Sequence, residues 1–407
     1  MTQPLLQAAD LRGATRLTTD AVVGLASLVE AMHARIARPP WLPRLGGEVR
    51  DDERTRGLTG LVYKTVRGVT HLVGGSTEHL LGWIEMAMAE PGGSLAPRAE
   101  RKAVLAALNG VLGDHLAATD NPLALSMAFR QAGRALPLDR PALRARLPQA
   151  TPRLLVLLHG LCMNDLQWQR DGHDHGEALA RAAGYTPVYL HYNSGLSIST
   201  NGRILAALLE QLFDAWPVPI ERLALLGHSM GGLVARSAIF HSAQLRRGGL
   251  RWPARLDDLV CLGSPHLGAP LEQAGQGVDL LLGAAPYAGP LARIGRLRSA
   301  GIQDLRRGSI VGSAAEDGDG PRAAAVALPP GVRCCAVAAR LGAAGRGLAG
   351  RLLGDGLVPV ASALGQDPDP AHRLDFPPER QMIADDTGHL ELLSSPAVSE
   401  RLAAWLS

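Results

Sequence analysis

Ser229 lies in the run Leu-Ala-Leu-Leu-Gly-His-Ser-Met-Gly-Gly-Leu-Val-Ala-Arg at 223–236. A serine hydroxyl attacks well only when a base removes its proton, so the surroundings of this serine decide what it can do. Residues 227–231 read Gly-x-Ser-x-Gly. An apolar run leads in and a helical pattern leads out, the setting of a sharp strand-to-helix turn with the serine at its tip. Gly227 and Gly231 suit a turn too tight for a Cβ on either side. At the start of a helix over 230–240, main-chain N–H groups and the helix dipole favour developing negative charge. The chemistry implied is covalent, nucleophilic catalysis.

The elements that must carry such a turn are legible over 151–407. Continuous apolar runs at 154–158, 187–191, 223–226, 259–262 and 332–339 predict strands, with a last short one at 381–384. Helical patterns at 177–183, 201–215, 231–240 and 398–405 separate or follow them. Fully apolar strands between helices imply a doubly wound, mostly parallel sheet covered on both faces, with ligands at the carboxyl ends of the strands. Residues 1–150 differ in texture. Apolar residues recur at helical spacing over 21–36, 57–73, 78–89 and 99–117, between Pro and Gly breakers. We expect a helical N-terminal extension at 1–150 and the catalytic domain at 151–407. The stretch 267–330 is long for one connection and is expected to form a lid or cap.

Five motifs stand together in this second part: Leu-Leu-His-Gly-Leu at 157–161, Gly-His-Ser-Met-Gly-Gly at 227–232, Leu-Gly-Ser-Pro-His-Leu-Gly-Ala-Pro at 262–270, Gly-Asp-Gly-Leu-Val-Pro at 354–359 and Gly-His-Leu at 388–390. On them the chain resembles the α/β-hydrolases, and within that fold the bacterial lipases and esterases and the GPI inositol-deacylase-like branch. The resemblance does not cover residues 1–150. It implies Ser229 as nucleophile, His389 as general base and Asp355 as the acid that orients it, in the family's order Ser, Asp, His. It implies an oxyanion hole from the N–H groups of Leu161 and Met230. His372 competes weakly with His389. Asp385 and Asp386 compete with Asp355, but they stand very close to His389 in sequence. Asp367, Asp369 and Asp375 lie in a Pro-rich loop. His266 is a candidate substrate contact. His159 and His228 are expected to support their loops, and Asp165, Trp168 and Asp171 to be structural rather than part of the site's mouth.

Composition narrows the partners. The 407 residues carry a net charge of +3 and are 46% hydrophobic, ample for a core and without the basic density of a polyanion binder. No nucleic acid is expected. Four cysteines, Cys162, Cys261, Cys334 and Cys335, sit in or beside apolar segments and read as buried thiols. No apolar run is long enough to cross a membrane, and the first residues do not read as a secretory signal, so a cytoplasmic location is expected. A peripheral contact of the N-terminal part with a membrane or granule stays open. No metal or organic cofactor is called for. The activity implied is hydrolysis of carboxylic esters with lipid-like or other hydrophobic acyl groups. Thioester or amide cleavage, a non-hydrolytic enzyme of the same fold and a silent binding module are the alternatives.

Overall fold

Leu154 to Leu158 are all buried, as an apolar run between helices demands, and they form the centre of a sheet. The computed structural model describes residues 96–244, 249–269, 299–312, 326–342 and 354–407. Nearly all of them belong to one of two compact units, that of Ser94–Ala118 and Ala124–Ser407. The expected helices at 21–36, 57–73 and 78–89, and most of the expected lid, lie outside the described residues.

The sheet strands are β1 (Ala128–Gln131), β2 (Arg134–Ala135), β3 (Arg153–Leu158), β4 (Thr186–His191), β5 (Arg222–His228), β6 (Leu256–Leu262), β7 (Arg333–Ala339) and β8 (Gln381–Ala384). Their order is β2-β1-β4-β3-β5-β6-β7-β8. Pairing from β4 through β3, β5, β6 and β7 to β8 is parallel, and β1 joins β4 and β2 antiparallel. The chain winds outward from β3 in one direction to β4 and in the other to β5. The crevice at such a reversal is where open α/β sheets hold their ligands.

The helices are α1 (Ala96–Ala118), α2 (Arg140–Arg146), α3 (His175–Ala183), α4 (Ile198–Ala215), α5 (Met230–Gln244), α6 (Ala300–Arg307), α7 (Val360–Ala363) and α8 (Pro396–Leu406). Local chemistry sets their ends. Asp174, Ser197 and Ser395 cap α3, α4 and α8, each accepting an N–H from the first turn, and Gly184 ends α3 in the left-handed region at φ 70°. One sheet face, with Leu155, Leu157, Ala224, Leu226, Val260 and Val337, buries Leu179 of α3 and Val398, Leu402 and Trp405 of α8. The opposite face meets α5, where Gly232 comes up against the Sγ of Cys261.

Two strands and two helices of this unit, β1, β2, α1 and α2, precede residue 151. The β1–β2 hairpin turns through Ala132 and Gly133, both at positive φ, 48° and 70°. That is the conformation a two-residue hairpin needs, reached here with alanine where Asn or Asp is usual. Helix α1 is tied to the carboxyl side of the sheet. Asn193 Nδ2 donates to the carbonyl of Gly113, and Ser299 Oγ donates to that of Gly110. The carboxylate of Asp114 accepts the N–H of Ala300 at the start of α6. Among the described residues no helix is long and apolar enough to cross a membrane.

Candidate active site

The register of the sheet brings the site together. Leu158 pairs with Gly227 and His228 with Leu262, so the chain leaving β3, β5 and β6 turns over at one edge. Ser229 has φ 54°, a left-handed conformation that a non-glycine residue adopts at a cost of about 1–2 kcal/mol. The strain is held by its surroundings. Its N–H donates to the carbonyl of Leu262 at 2.8 Å, and its carbonyl accepts the N–H of Gly232 at 3.2 Å. A Cβ on Gly231 would run into the main-chain oxygen of Leu158, and one on Gly227 into the main-chain nitrogen of Gly232. The two glycines are therefore required by close approach, as the pentapeptide predicts.

The turn after β3 lies against the elbow, because a Cβ on Gly160 would stand 3.1 Å from that of Ser229. His159 is fully buried, with its ring stacked on Tyr192 at 4.3 Å. Its Nδ1 donates to the carbonyl of Gly160 at 2.8 Å, and the Tyr192 hydroxyl donates to the carbonyl of His159 at 2.8 Å. Burial, then the charge of His191, pushes the His159 imidazole down to about 3, so it stays neutral. Cys162 holds φ 60°, and its N–H donates to Ser194 Oγ at 3.1 Å. Burial pushes its thiol up to about 12, which removes it as a nucleophile. All four cysteines are buried and free. Among the described residues the N–H groups of Leu161 and Met230 make no hydrogen bond.

The third component comes from beyond β7 and β8. His389 Nδ1 lies 2.7 Å from Asp355 Oδ2, and both side chains are fully buried. Asp355 Oδ1 accepts the N–H groups of Leu357 and Val358 at 3.0 and 2.8 Å. With Oδ1 occupied by two main-chain N–H groups, Oδ2 is left to accept from Nδ1 of His389, and in that tautomer Nε2 is the ring's acceptor atom. Nε2 is buried and has no hydrogen-bond partner among the described residues. A Cβ on Gly263, the neighbour of Leu262, would stand 3.2 Å from Nδ1 and Cε1 of this ring, so His389 sits beside the elbow.

The competitors are elsewhere. Asp385 pairs with Arg340, and His372 with Asp369 at an exposed turn. Asp386 is exposed at φ 50°. His266 is buried, with Nδ1 3.2 Å from Arg236 Nη1 and its ring 5.3 Å from that of Phe376. Burial, then Arg236, holds it well below the usual histidine range. Its Nε2 is buried and has no hydrogen-bond partner among the described residues. Trp168 is core. Asp165 is buried, 3.3 Å from His191 Nδ1 and 3.7 Å from Arg130 Nη1. Asp171 accepts from Ser394 at the surface. Sequence reasoning missed Tyr192 and Ser194, just after β4, and His175, at the start of α3, which brace the site's loops and carry no local signal. Among the described residues no group of three or more His, Cys, Asp or Glu side chains could hold a metal ion.

Residues 153–287 match the family model of the PGAP1-like alpha/beta domain, starting at the first residue of β3. Among solved structures the chain is similar to the mature lipase BlEst2 of Bacillus licheniformis, at 17% identity over 69% of this chain and 98% of that one, TM-score 0.42. It is also similar to a lipase-esterase related protein of Clostridium acetobutylicum, at 12% identity over 69% and 99%, TM-score 0.37. A third is a putative aryl esterase of Burkholderia cenocepacia, at 17% identity over 63% and 91%, TM-score 0.34. A comparison with curated proteins finds no match.

Proposed function

For a chain that has the α/β-hydrolase fold, we propose the activity of a serine hydrolase acting on carboxylic esters. The observation that carries this reading is the buried Asp355–His389 pair, whose ring packs 4.8 Å from that of His228, the neighbour of a serine held in a strained elbow, and whose Nε2 is unengaged among the described residues. In the proposed reaction Ser229 Oγ attacks the ester carbonyl carbon while His389 Nε2 takes the hydroxyl proton. Asp355 stabilises the imidazolium and fixes its tautomer. The carbonyl oxygen gains negative charge and accepts hydrogen bonds from the N–H groups of Leu161 and Met230. His389 then protonates the departing alkoxide, leaving an acyl group on Ser229. Water, deprotonated by His389, attacks this acyl-enzyme, and the carboxylic acid leaves as Ser229 regains its proton.

The turns around the elbow and the base are packed with the buried Leu161, Met163, Met230 and Leu392, and the acyl preference proposed is for hydrophobic groups. Hydrolysis of p-nitrophenyl esters from short to long acyl chains tests the reading. The expected result is turnover that rises with chain length beyond acetate and is lost in Ser229→Ala. Equal rates for wild type and Ser229→Ala would reject it.

A further inference from the structure

His228 has no part in the reaction just described, yet its ring lies between the turn after β3 and the segment that carries His389. It ends β5 directly before Ser229 and is fully buried. Its Nε2 lies 3.0 Å from the main-chain oxygen of His389. A carbonyl oxygen can only accept, so Nε2 bears the proton and Nδ1 of the neutral ring is bare. Nδ1 has no hydrogen-bond partner among the described residues, and a Cβ on Gly160 would stand 3.3 Å from it. The rings of His228 and His389 lie 4.8 Å apart between centroids, tilted by 49°.

The far end of the same loop is held in the same way. His175 Nε2 lies 2.9 Å from the main-chain oxygen of Leu392. By the same argument that nitrogen is protonated, so Nδ1 of His175 accepts from His173 Nε2 at 2.9 Å. Within the loop the N–H groups of Glu391 and Leu392 donate to the carbonyl of Gly388, while the N–H of Thr387 donates to the carbonyl of Arg340 and that of His389 to the carbonyl of Asp355. Among the described residues, the bond to His228 ties the main chain of the base to the strand that carries the nucleophile.

We infer that His228 is a positioning residue for His389, whose Nε2–H fixes the main chain of the base against the elbow so that the imidazole stays in reach of the Ser229 hydroxyl. The inference rests on the roles proposed above for Ser229, His389 and Asp355. Two features fit a donor rather than a space-filling ring. An apolar ring of the same shape would leave the His389 carbonyl without its partner in a buried setting. A ring that ionised would place a second cation beside the imidazolium formed in the reaction. Burial, then the neighbouring His389, holds the His228 imidazole well below the usual histidine range and keeps it neutral.

The test compares the full-length wild type, Ser229→Ala, His228→Phe and His228→Gln. Phe keeps a ring and loses the donor, whereas the Gln amide nitrogen reaches about as far as the imidazole Nε2. Ester kinetics are read together with the rate of labelling by an alkyl fluorophosphonate. Misplacing a reacting group by about 1 Å costs on the order of 100-fold. His228→Phe is therefore expected to lose about 10- to 100-fold in kcat, with KM within about two-fold, and to label more slowly by the same factor. His228→Gln is expected to recover most of that loss. Wild-type kcat and labelling in His228→Phe, or a His228→Gln as slow as His228→Phe, would overturn the inference. A wild type that neither labels nor turns over esters would instead overturn the reading of Ser229. Should His228→Phe fail to fold, the wild-type histidine 15N–1H spectrum still decides. An Nε2–H tautomer at His228 supports the inference, and an Nδ1–H tautomer ends it.

Discussion

At the scale of single residues, the proposed direction of proton transfer rests on which atoms are already occupied. Asp355 spends Oδ1 on two main-chain N–H groups and Oδ2 on His389, so it can only hold the ring with Nδ1 protonated. Asp355→Asn would present an amide that donates as well as accepts, and the buried imidazole would adopt the other tautomer. We expect kcat to fall by about 10³- to 10⁴-fold with KM little changed, measured on a p-nitrophenyl ester, while Asp385→Asn stays within about two-fold. The reverse pattern would move the acid to Asp385. Ser229 was legible in the sequence because its turn demands glycines at fixed offsets. Asp355 was named there only through a resemblance, since the Gly/Arg-rich stretch after β7 separates it from its strand. The orientations of His159, His175 and His228 were not legible at all. Each is set by a carbonyl that the sheet register brings near, and a one-dimensional pattern does not encode that register.

Elements were easier to read than the contacts between them. Strands β3 to β7 announce themselves because burial on both faces forces continuous apolar runs, and α4 because Leu205, Leu209 and Leu212 repeat on one buried side. The β1–β2 hairpin was missed for a physical reason. At the sheet's edge it needs only Phe129 fully inside, and its turn is Ala-Gly rather than Asn-Gly. Helix α1 was legible as a helix, with ends a few residues wide of the expected ones. Its attachment was not, because it depends on Gly110 and Gly113 giving the loops after β3 and β4 room to approach. A Cβ on Gly110 would displace Cys162, in the turn after β3. Helix α1, within the segment expected as an extension, thus supports the turns that follow β3 and β4.

For the molecule as a whole, a consequence of burying several neutral histidines is a dependence of stability on pH. Burial holds His159 down to about 3 and His175 down to about 4, and holds His228 and His266 well below the usual range. Folded pKa values below the unfolded value of about 6.5 mean that the unfolded chain binds more protons in this interval. The stability they contribute is intact above about pH 6.5 and is lost as pH falls towards 4, by about 1.4 kcal/mol per pH unit for each histidine. Asp258, pushed up to about 7 by burial, and Asp304, also raised by burial, work in the opposite sense, two protons against those of four histidines. Urea unfolding is therefore expected to give a lower midpoint at pH 5 than at pH 7, and equal midpoints would contradict the neutral-histidine arrangement. The claim on which everything else depends is that Ser229 is the nucleophile, and intact-protein mass spectrometry with peptide mapping after exposure to an alkyl fluorophosphonate tests it most directly. The account predicts one phosphonyl adduct per chain, on Ser229, absent from Ser229→Ala and strongly slowed in His389→Ala. No adduct on the folded wild type, or an adduct on another residue, would contradict it.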